Sequence, residues 1–348
     1  MKKQKALFIY THLSTFVKGD IEILSEICSV KTFRVDNSSR VKQFFSLIWE
    51  LLYLILNIWK FDIIYIWFAD YHSFLPVMLS KITKRRSFLV IGGYDVCRIK
   101  SVKYGSFINP IRGFMTRYSM NNASLCLCVS NYIDRVVRFV SKKAKTQVVY
   151  NCVNIPDDIS DNTITNREKG VISVAIAKSP QSIFIKGIDR IVRLSQELKN
   201  IPFTLIGTDR IILESICGSI PQNLKIISRI PHEELLEYYK KYKVYCQLSR
   251  SESFAVALAE AMYYNCVPVV SNTGGMTEVT GSLGYVVDGE NINQCSEAIL
   301  SALDEPYSEQ YRQRIESNFS IRRRYDALKR IFSLTYQDSN LDRQSQNL

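Results

Sequence analysis

Residues 249–262 read Ser-Arg-Ser-Glu-Ser-Phe-Ala-Val-Ala-Leu-Ala-Glu-Ala-Met, and the organisation of the whole chain follows from them. The apolar run at 242–248, just before this stretch, predicts a buried strand. Apolar residues then recur at helical spacing through 254–262, which predicts a helix that Ser251 or Ser253 caps. A strand, a loop and a helix are therefore expected in that order.

The segment that follows continues the same alternation. The helix is predicted to end at Asn265, since asparagine tolerates the left-handed conformation. Residues 266–270 are predicted as the next buried strand, and a Gly274-Gly275 turn opens a short helix that contains Glu278. Strands and helices alternate in this way along most of the chain, which predicts an α/β protein with doubly wound parallel sheets.

Two carboxylates occupy fixed places in this pattern: Glu252 in the loop and Glu260 about two turns inside the predicted helix. The amides at a helix start can hold a phosphate, and an acid further along can accept hydrogen bonds from ribose hydroxyls. The amides predicted to hold the phosphate are those of Ser253, Phe254, Ala255 and Val256. Glu252, on the other side of the phosphate, is predicted to contact the sugar and to be catalytic. The pattern favours a site for a nucleotide diphosphate that carries a sugar, although a plain buried alanine-rich helix is the simpler alternative.

The spacing Glu252-x7-Glu260, with Ser-Phe-Ala after the first Glu and Glu-Ala-Met at the second, resembles the donor motif of retaining family 4 (group 1) glycosyltransferases. The resemblance continues through Pro268-Val-Val270 and Gly274-Gly275-Met-Thr-Glu278. It implies the GT-B architecture, two Rossmann-like domains that face an interdomain cleft. Two residues depart from the pattern, because Ala255 and Asn265 stand where the family usually has glycine.

The resemblance implies an acceptor-binding domain at 1–160 and a donor-binding domain at 165–318, with a C-terminal helix at 320–337 that rejoins the first domain. The polar, turn-rich segment 155–169 is the predicted boundary.

Further donor residues are implied by the same resemblance. Lys186-Gly187 matches the Lys-Gly that serves the diphosphate, while the Arg usual near the start of that loop is absent and Lys178 stands close to its place. Two cations can stabilise a departing diphosphate without a metal. Ile230 is expected against the nucleobase, and His232 is predicted as an exposed residue at a helix start.

In the first half, the predicted strand 87–91 ends in Gly92-Gly93-Tyr94-Asp95. This segment resembles the acceptor-side loop of the family, so Gly93 and Tyr94 are predicted to line the acceptor site. Asp95 would orient or deprotonate an acceptor hydroxyl, or it simply caps the next turn. The loop after the first strand adds the candidates Thr15, Phe16 and Lys18.

The composition excludes several classes of protein. No Asp-x-Asp is present, which disfavours a metal-dependent transferase of the GT-A type. The dinucleotide-binding motif Gly-x-Gly-x-x-Gly does not follow the first strand, and the P-loop motif Gly-x4-Gly-Lys-Ser/Thr is absent. The nine Cys and three His show no metal-ligand spacing. We expect no metal and no cofactor, with a UDP- or GDP-linked sugar as co-substrate. No secretory leader is recognised, and the odd cysteine count is typical of a reducing compartment.

The positive charge lies in the first half of the chain. Residues 1–150 contain 23 Lys and Arg against 9 Asp and Glu, whereas residues 151–348 contain 22 against 24. Such asymmetry predicts an anionic membrane surface as partner, or it serves solubility alone. Nucleic acid is not expected, because no motif of interleaved aromatic and basic residues is present.

Residues 41–60 are the most hydrophobic stretch, with Ser46, Glu50, Tyr53 and Asn57 in one narrow polar stripe. This pattern favours a core helix, with docking at a membrane surface as the alternative.

Taken together, these features predict a retaining glycosyltransferase that moves a hexose-type sugar to an acceptor hydroxyl. The acceptor would be a glycan or a lipid-linked molecule, in the assembly of cell-surface polysaccharide or lipopolysaccharide. A cytoplasmic location, peripheral at the inner face of the cell membrane, is expected. Two alternatives remain: a non-catalytic partner protein with the GT-B fold, and a sugar-nucleotide epimerase on the same fold.

Overall fold

The computed structural model describes residues 3–153 and 167–345, and side chains up to residue 333. The chain divides into two compact units, Met1–Cys152 together with Ile321–Leu348, and Val153–Ser320. Most of the predicted linker, residues 155–166, lies outside the described residues. The predicted domain limits of 160 and 165 stay predictions.

The first domain contains a parallel six-stranded sheet in the order β2-β1-β3-β4-β5-β6. Its strands are β1 (Lys5–Tyr10), β2 (Ser29–Arg34), β3 (Ile63–Trp67), β4 (Arg86–Ile91), β5 (Leu125–Cys128) and β6 (Thr146–Val148). Its helices are α1 (Thr15–Ile27), α2 (Arg40–Asn57), α3 (Tyr71–Ile82), α4 (Pro110–Asn122) and α5 (Asn131–Val140). Every residue of β3 is buried, because helices cover both faces of a parallel sheet and its central strands are apolar throughout.

The second domain contains another parallel six-stranded sheet, in the order β12-β11-β10-β7-β8-β9. Its strands are β7 (Glu168–Ala177), β8 (Phe203–Thr208), β9 (Leu224–Ile227), β10 (Tyr242–Gln247), β11 (Val267–Ser271) and β12 (Tyr285–Val287). Its helices are α6 (Pro180–Ile185), α7 (Ile188–Glu197), α8 (Arg210–Cys217), α9 (His232–Lys241), α10 (Val256–Tyr263), α11 (Met276–Thr280), α12 (Ile292–Asp304) and α13 (Gln310–Phe319). The predicted fold class, two doubly wound α/β domains, is confirmed.

The last helix, α14 (Ile321–Ser345), belongs to the first domain. Its Arg324 is 3% exposed and donates from Nη2 to Oδ2 of Asp20 at 2.7 Å. The same guanidinium reaches the carbonyls of Val149 and Tyr150 at 3.0 and 2.7 Å. Asp20, which is fully buried, also accepts from the Tyr65 hydroxyl at 2.7 Å. A fully hydrogen-bonded ion pair thus fixes α14 to the first domain.

Helix α2 corrects the interpretation of residues 41–60 as a core helix. The segment Arg40–Lys60 is long and apolar enough to cross a membrane, but only 17% of its most apolar 18-residue window is buried. Its predicted polar stripe faces the protein. Glu50 is fully buried, and Ser46 Oγ accepts from the amide of Asp36 at 3.0 Å. Tyr53 packs its ring 4.9 Å from that of Phe33. The apolar side of the helix is therefore exposed.

Candidate functional site

The candidate site of the second domain lies at the switch point of its parallel sheet, where the order in which the strands are added reverses. After β7 the chain builds β8 and β9 on one side, then returns to place β10 on the other side of β7. Loops that leave the carboxyl ends of two such strands diverge, and the crevice between them is where open α/β sheets bind ligands. Lys186 follows β7 and α6, and Glu252 follows β10.

Lys186 and Glu252 meet directly at this point. The Lys186 Nζ lies 2.8 Å from Oε2 of Glu252, and the two side chains are 34% and 11% exposed. Gln247, the last residue of β10, donates from Nε2 to the same oxygen at 3.0 Å. The amide of Ser253 donates to Oε1 at 3.1 Å. The structure thus brings together a predicted diphosphate-binding cation and the predicted sugar-binding acid, and it adds Gln247, which the sequence analysis missed.

Gly187 explains why the two loops approach so closely. Its φ is +65°, in the left-handed region, and a Cβ there would lie 1.8 Å from the carbonyl oxygen of Leu248. Only glycine fits this contact. Two arginines brace it: Arg190 Nη1 donates to the Leu248 carbonyl at 2.7 Å, and Arg250 Nη1 donates to the Phe184 carbonyl at 2.8 Å. The position of Lys186 is therefore fixed by backbone contacts.

The helix after Glu252 begins later than predicted. Neither Ser251 nor Ser253 caps it, because α10 starts at Val256 and its N-cap position is Ala255. The open amides of its first turn are therefore those that follow Ala255, while the Ser253 amide already binds Glu252. Glu260 consequently lies about one turn inside the helix and not two.

Ala255 adopts φ +75°, which is unfavourable for a residue with a Cβ. Alanine at this position therefore costs conformational free energy that glycine would not. Asn265 also has positive φ, +58°, as the sequence analysis predicts, although α10 itself ends at Tyr263. The Phe254 side chain is 1% exposed and packs against Phe319 at 5.3 Å between ring centroids, so it belongs to the core.

We expect Ala255→Gly to stabilise the second domain by about 1 kcal/mol, because glycine adopts positive φ without strain. The matched control is Ala259→Gly in the interior of α10, where glycine should destabilise by about 1 kcal/mol or more. Urea denaturation of both variants measures the two signs. Equal destabilisation by both changes would contradict a strained Ala255.

Glu260 is 6% exposed, and its contacts show a feature that the sequence analysis missed. His232 Nε2 lies 2.8 Å from Glu260 Oε1, and the Tyr239 hydroxyl donates to Oε2 at 3.4 Å. His232 is the first residue of α9, as predicted, but its side chain is only 33% exposed. The hydrogen bond to Glu260 raises the pKa of His232. His232 therefore holds the acid predicted to bind the ribose. Ile230, two residues earlier, is half-buried, and its contact with a nucleobase stays a prediction.

The raised pKa of His232 predicts that the second domain is more stable under mildly acidic conditions. This contribution is fully present below about pH 6.5, the unfolded pKa of histidine, and is lost as the pH rises through the folded pKa. Partial exposure limits it to about 0.5–1 kcal/mol. His232→Gln should remove the difference in unfolding free energy between pH 5.5 and 8.5 that this pair causes. The exposed His12 offers the control His12→Gln, and an equal loss there would refute the assignment.

In the first domain, Asp95 is a buried acid whose carboxylate is bound by backbone amides. It is 1% exposed, and its carboxylate accepts from the amides of Ala69, Gly92 and Gly93 at 3.2, 3.1 and 2.6 Å. Burial raises the pKa of Asp95 to about 6. These bonds tie the loop after β4 to the residues just after β3, and they do not cap the turn that follows. The action of Asp95 on an acceptor hydroxyl stays a prediction.

The loop after β1 shows one packing residue and two exposed ones. Phe16 lies 4.9 Å from the Trp67 ring and 6.1 Å from Phe68, whose own ring contacts Gly92. Thr15 and Lys18 are exposed. Phe16 thus connects this loop to the Gly92-Gly93 loop, while roles for Thr15 and Lys18 stay predictions.

Arg112 is a residue near Tyr94 that the sequence analysis did not single out. Its Nε donates to Asp70 Oδ1 at 2.7 Å, and its Nη1 donates to the Tyr94 hydroxyl at 3.0 Å. A half-buried guanidinium against an aromatic hydroxyl therefore lies beside the predicted acceptor loop.

Lys178 is exposed, on the segment between β7 and α6. Among the side chains that the structure describes, in residues 3–153 and 167–333, no cluster of three or more His, Cys, Asp or Glu could hold a metal ion. The expectation of a metal-independent reaction stays a prediction.

The residues of the candidate site in the second domain lie within a segment that matches known proteins. Residues 175–320 match the family described as glycosyl transferases group 1. A GDP-mannose-dependent monoacylated α-(1-6)-phosphatidylinositol monomannoside mannosyltransferase from Corynebacterium glutamicum is 23% identical over 168 residues. That match covers 43% of this chain and 44% of the mannosyltransferase, so less than half of the relative is spanned.

Solved structures resemble the whole chain. Sucrose-phosphate synthase from Thermosynechococcus elongatus superposes with a TM-score of 0.76 at 15% identity, covering 97% of this chain and 100% of that one. The α,α-trehalose 6-phosphate synthase from Burkholderia multivorans gives 0.70 at 10% identity, covering 99% of each chain. The E. coli trehalose-6-phosphate structure bound with UDP-2-fluoro glucose gives 0.67 at 11% identity, covering 95% of this chain and 98% of that one. Residues 175–320 therefore resemble the group 1 glycosyl transferases, and the chain has the two-domain α/β fold of the GT-B type.

Proposed function

We propose that this protein is a retaining glycosyltransferase that moves a hexose-type sugar from a nucleotide diphosphate sugar to an acceptor hydroxyl, without a metal. The observation that carries the proposal is the contact between Lys186 and Glu252 at the point where the strand order of the second sheet reverses. A cation and an acid side by side there can serve the diphosphate and the sugar of one donor molecule.

The arrangement along α10 supports the same donor. The first-turn amides and the helix dipole favour a phosphate group at the N-terminus. Glu260, four residues after Val256, lies roughly 6 Å further along the axis, a distance that suits the step from phosphate to ribose. In this proposal Glu260 accepts hydrogen bonds from the ribose hydroxyls, and His232 keeps its carboxylate in place.

Each remaining group has a role in the transfer. Lys186 and the amides of α10 stabilise the negative charge that develops on the leaving diphosphate. Glu252 binds sugar hydroxyls and stabilises positive charge that develops at the anomeric carbon. The leaving phosphate oxygen takes the proton of the acceptor hydroxyl, so the acceptor enters on the face that the phosphate leaves and the configuration is retained.

The acceptor is proposed to be a glycan or a lipid-linked molecule, in the assembly of surface polysaccharide or lipopolysaccharide at the inner face of the cell membrane. The name of the Corynebacterium glutamicum relative describes transfer to a phosphatidylinositol mannoside, which supports a lipid-linked acceptor. The same name specifies GDP-mannose, whereas the E. coli structure contains a UDP sugar. Both nucleotide classes therefore belong in the test.

The test measures binding and turnover with a panel of UDP- and GDP-linked hexoses. We expect one donor to bind, to release its nucleoside diphosphate without added metal, and to give a product with unchanged anomeric configuration by NMR. Glu260→Gln should weaken nucleotide binding by at least tenfold, whereas Glu237→Gln, an exposed acid on α9, should not. Binding of no donor would overturn the proposal and favour the non-catalytic partner. Conversion of a donor into its epimer would identify a sugar-nucleotide epimerase.

A further inference from the structure

The outward face of α2 is an apolar surface on the most basic part of the chain. Six large side chains project outward, five from α2 and Trp59 from the 3-10 turn Ile58–Lys60 that continues it. They are Phe44, Phe45, Trp49, Leu52, Leu56 and Trp59, which are 62%, 63%, 62%, 48%, 72% and 61% exposed. At about 100° per residue these positions fall on one side of the helix. We call this set the α2 apolar face.

The opposite side of α2 is directed at the protein although it carries the polar residues of the helix. Glu50 is fully buried, and within the described part of the chain neither of its carboxylate oxygens has a hydrogen-bond partner. Leu54 and Ile58 are also buried, at 0% and 1% exposed. A helix that only packed on a soluble core would bury its apolar face. The reversed orientation therefore indicates that the outward face has an apolar environment of its own.

The size of the α2 apolar face supports this argument. The six side chains lie together on one side of the helix and each is about half or more exposed, whereas the large apolar side chains that an ordinary monomer exposes are scattered singly. Burial of such a surface is the expected outcome in the working protein, in a lipid bilayer or against another protein.

The charged residues around the α2 apolar face indicate which of these two partners covers it. Glu50 is the only acid within residues 40–60, and it is buried, while Arg40, Lys42 and Lys60 are exposed. Arg85 donates to the Trp59 carbonyl at 3.2 Å, which places the basic turn 84–86 beside the end of the helix. Two copies of this chain would bring like charges together, whereas an acidic lipid surface complements them.

We propose that the α2 apolar face docks into the interface of a bilayer that contains acidic lipids, with the helix lying in the membrane plane. The side chains of Phe45, Trp49 and Leu56 enter the acyl region, and the flanking cations bind lipid phosphates. The inward contacts of Leu54, Ile58 and the polar stripe keep the helix on its own domain. This surface extends the proposed function, and its test uses no sugar, so either proposal can fail alone.

The three tryptophans supply the probe for docking. Trp49 and Trp59 lie on the α2 apolar face, while Trp67 is 1% exposed inside the first sheet. The full chain is mixed with vesicles of phosphatidylcholine alone, or with about 30% phosphatidylglycerol, a fraction within the range of natural acidic membranes. We expect flotation with the acidic vesicles, and quenching by brominated acyl chains of Trp49 and Trp59 but not of Trp67, which single-tryptophan variants resolve.

The matched variants are Leu56→Ser on the α2 apolar face and Ile211→Ser on α8, where the side chains are 72% and 77% exposed. Because neither side chain belongs to the core, both variants should fold, which Trp67 emission verifies. Leu56→Ser should weaken vesicle binding by at least fivefold, and Ile211→Ser should leave it unchanged. Replacing Arg40, Lys42 and Lys60 together by glutamine should remove the preference for acidic vesicles.

Three results would overturn the proposal. The first is no flotation with acidic vesicles at low salt. The second is a dimer, detected by sedimentation at rising protein concentration, that Leu56→Ser dissociates, because a second copy would then cover the face. The third is quenching from bromines at the bilayer centre combined with resistance to alkaline extraction, because the helix would then cross the membrane.

Discussion

Lys186→Ala should lower the turnover of the nucleotide-sugar donor by roughly 100- to 1,000-fold, the usual effect of removing one group that stabilises charge in a transition state. Lys186 Nζ lies 2.8 Å from Glu252 in the crevice between β7 and β10. The negative charge on the diphosphate grows as the sugar departs, so the cation acts more strongly on the transition state than on the bound donor. We therefore expect kcat to fall by more than KM rises.

The control for this prediction is Lys178→Ala, on the exposed segment eight residues earlier. Its activity should stay within about twofold of the unchanged protein, because an exposed lysine contributes little to local charge stabilisation. Steady-state release of the nucleoside diphosphate gives both constants for both variants. The assignment is wrong if Lys186→Ala keeps more than a third of the original kcat, or if the two variants lose activity equally.

Arg324→Leu should destabilise the first domain by about 3–5 kcal/mol, the cost of leaving a buried charge without its partner. Asp20 is fully buried, so the loss of the guanidinium leaves its carboxylate, among the described residues, with the Tyr65 hydroxyl and the Trp67 indole as donors. The carbonyls of Val149 and Tyr150 also lose their donor. Guanidinium denaturation followed by Trp67 emission, in a variant without the other tryptophans, measures this change.

A surface ion pair whose two residues flank Arg324 on α14 supplies the control. Arg322 is 78% exposed and pairs with Asp326, so Arg322→Leu should change the stability by less than about 1 kcal/mol. The double change Asp20→Asn with Arg324→Leu should recover part of the loss, because no buried charge then remains. A loss below 1 kcal/mol for Arg324→Leu would show that water reaches the pair.

Much of the fold could be predicted because parallel sheets leave a strong local pattern. The runs around β1, β3, β4 and β10 are apolar on both faces, and polar loops separate them from helices. β2, in contrast, was not predicted. It is an edge strand whose residues are all exposed or half-exposed, so it lacks a hydrophobic run.

The errors in the helices have physical causes. α10 starts at Val256 because the chain turns at Ala255 through a left-handed conformation, which glycine indicates in a sequence and alanine does not. For α2 the periodicity identified the polar stripe correctly, but periodicity alone cannot show which side faces the protein. The stripe faces the protein and the apolar side is exposed, the reverse of the expected orientation.

The candidate site could be predicted only in part. Local motifs indicate Lys186, Glu252 and Glu260, because they lie within short stretches of distinctive composition. The partners of these residues come from elsewhere in the chain. His232 is 28 residues from Glu260, and Arg112 is 42 residues from Asp70, so only the folded sheets bring them together.

The ion pair between Asp20 and Arg324 also bears on how the protein emerges from the ribosome. Its two residues are 304 positions apart, with the whole second domain between them. Residues 153–320 are all synthesised before Arg324, so the second domain can finish folding while the first still lacks its last helix. During that interval the nascent chain presents a first domain whose sheet lacks its last covering helix and whose Asp20 carboxylate lacks its arginine, and chaperones are most needed at that stage.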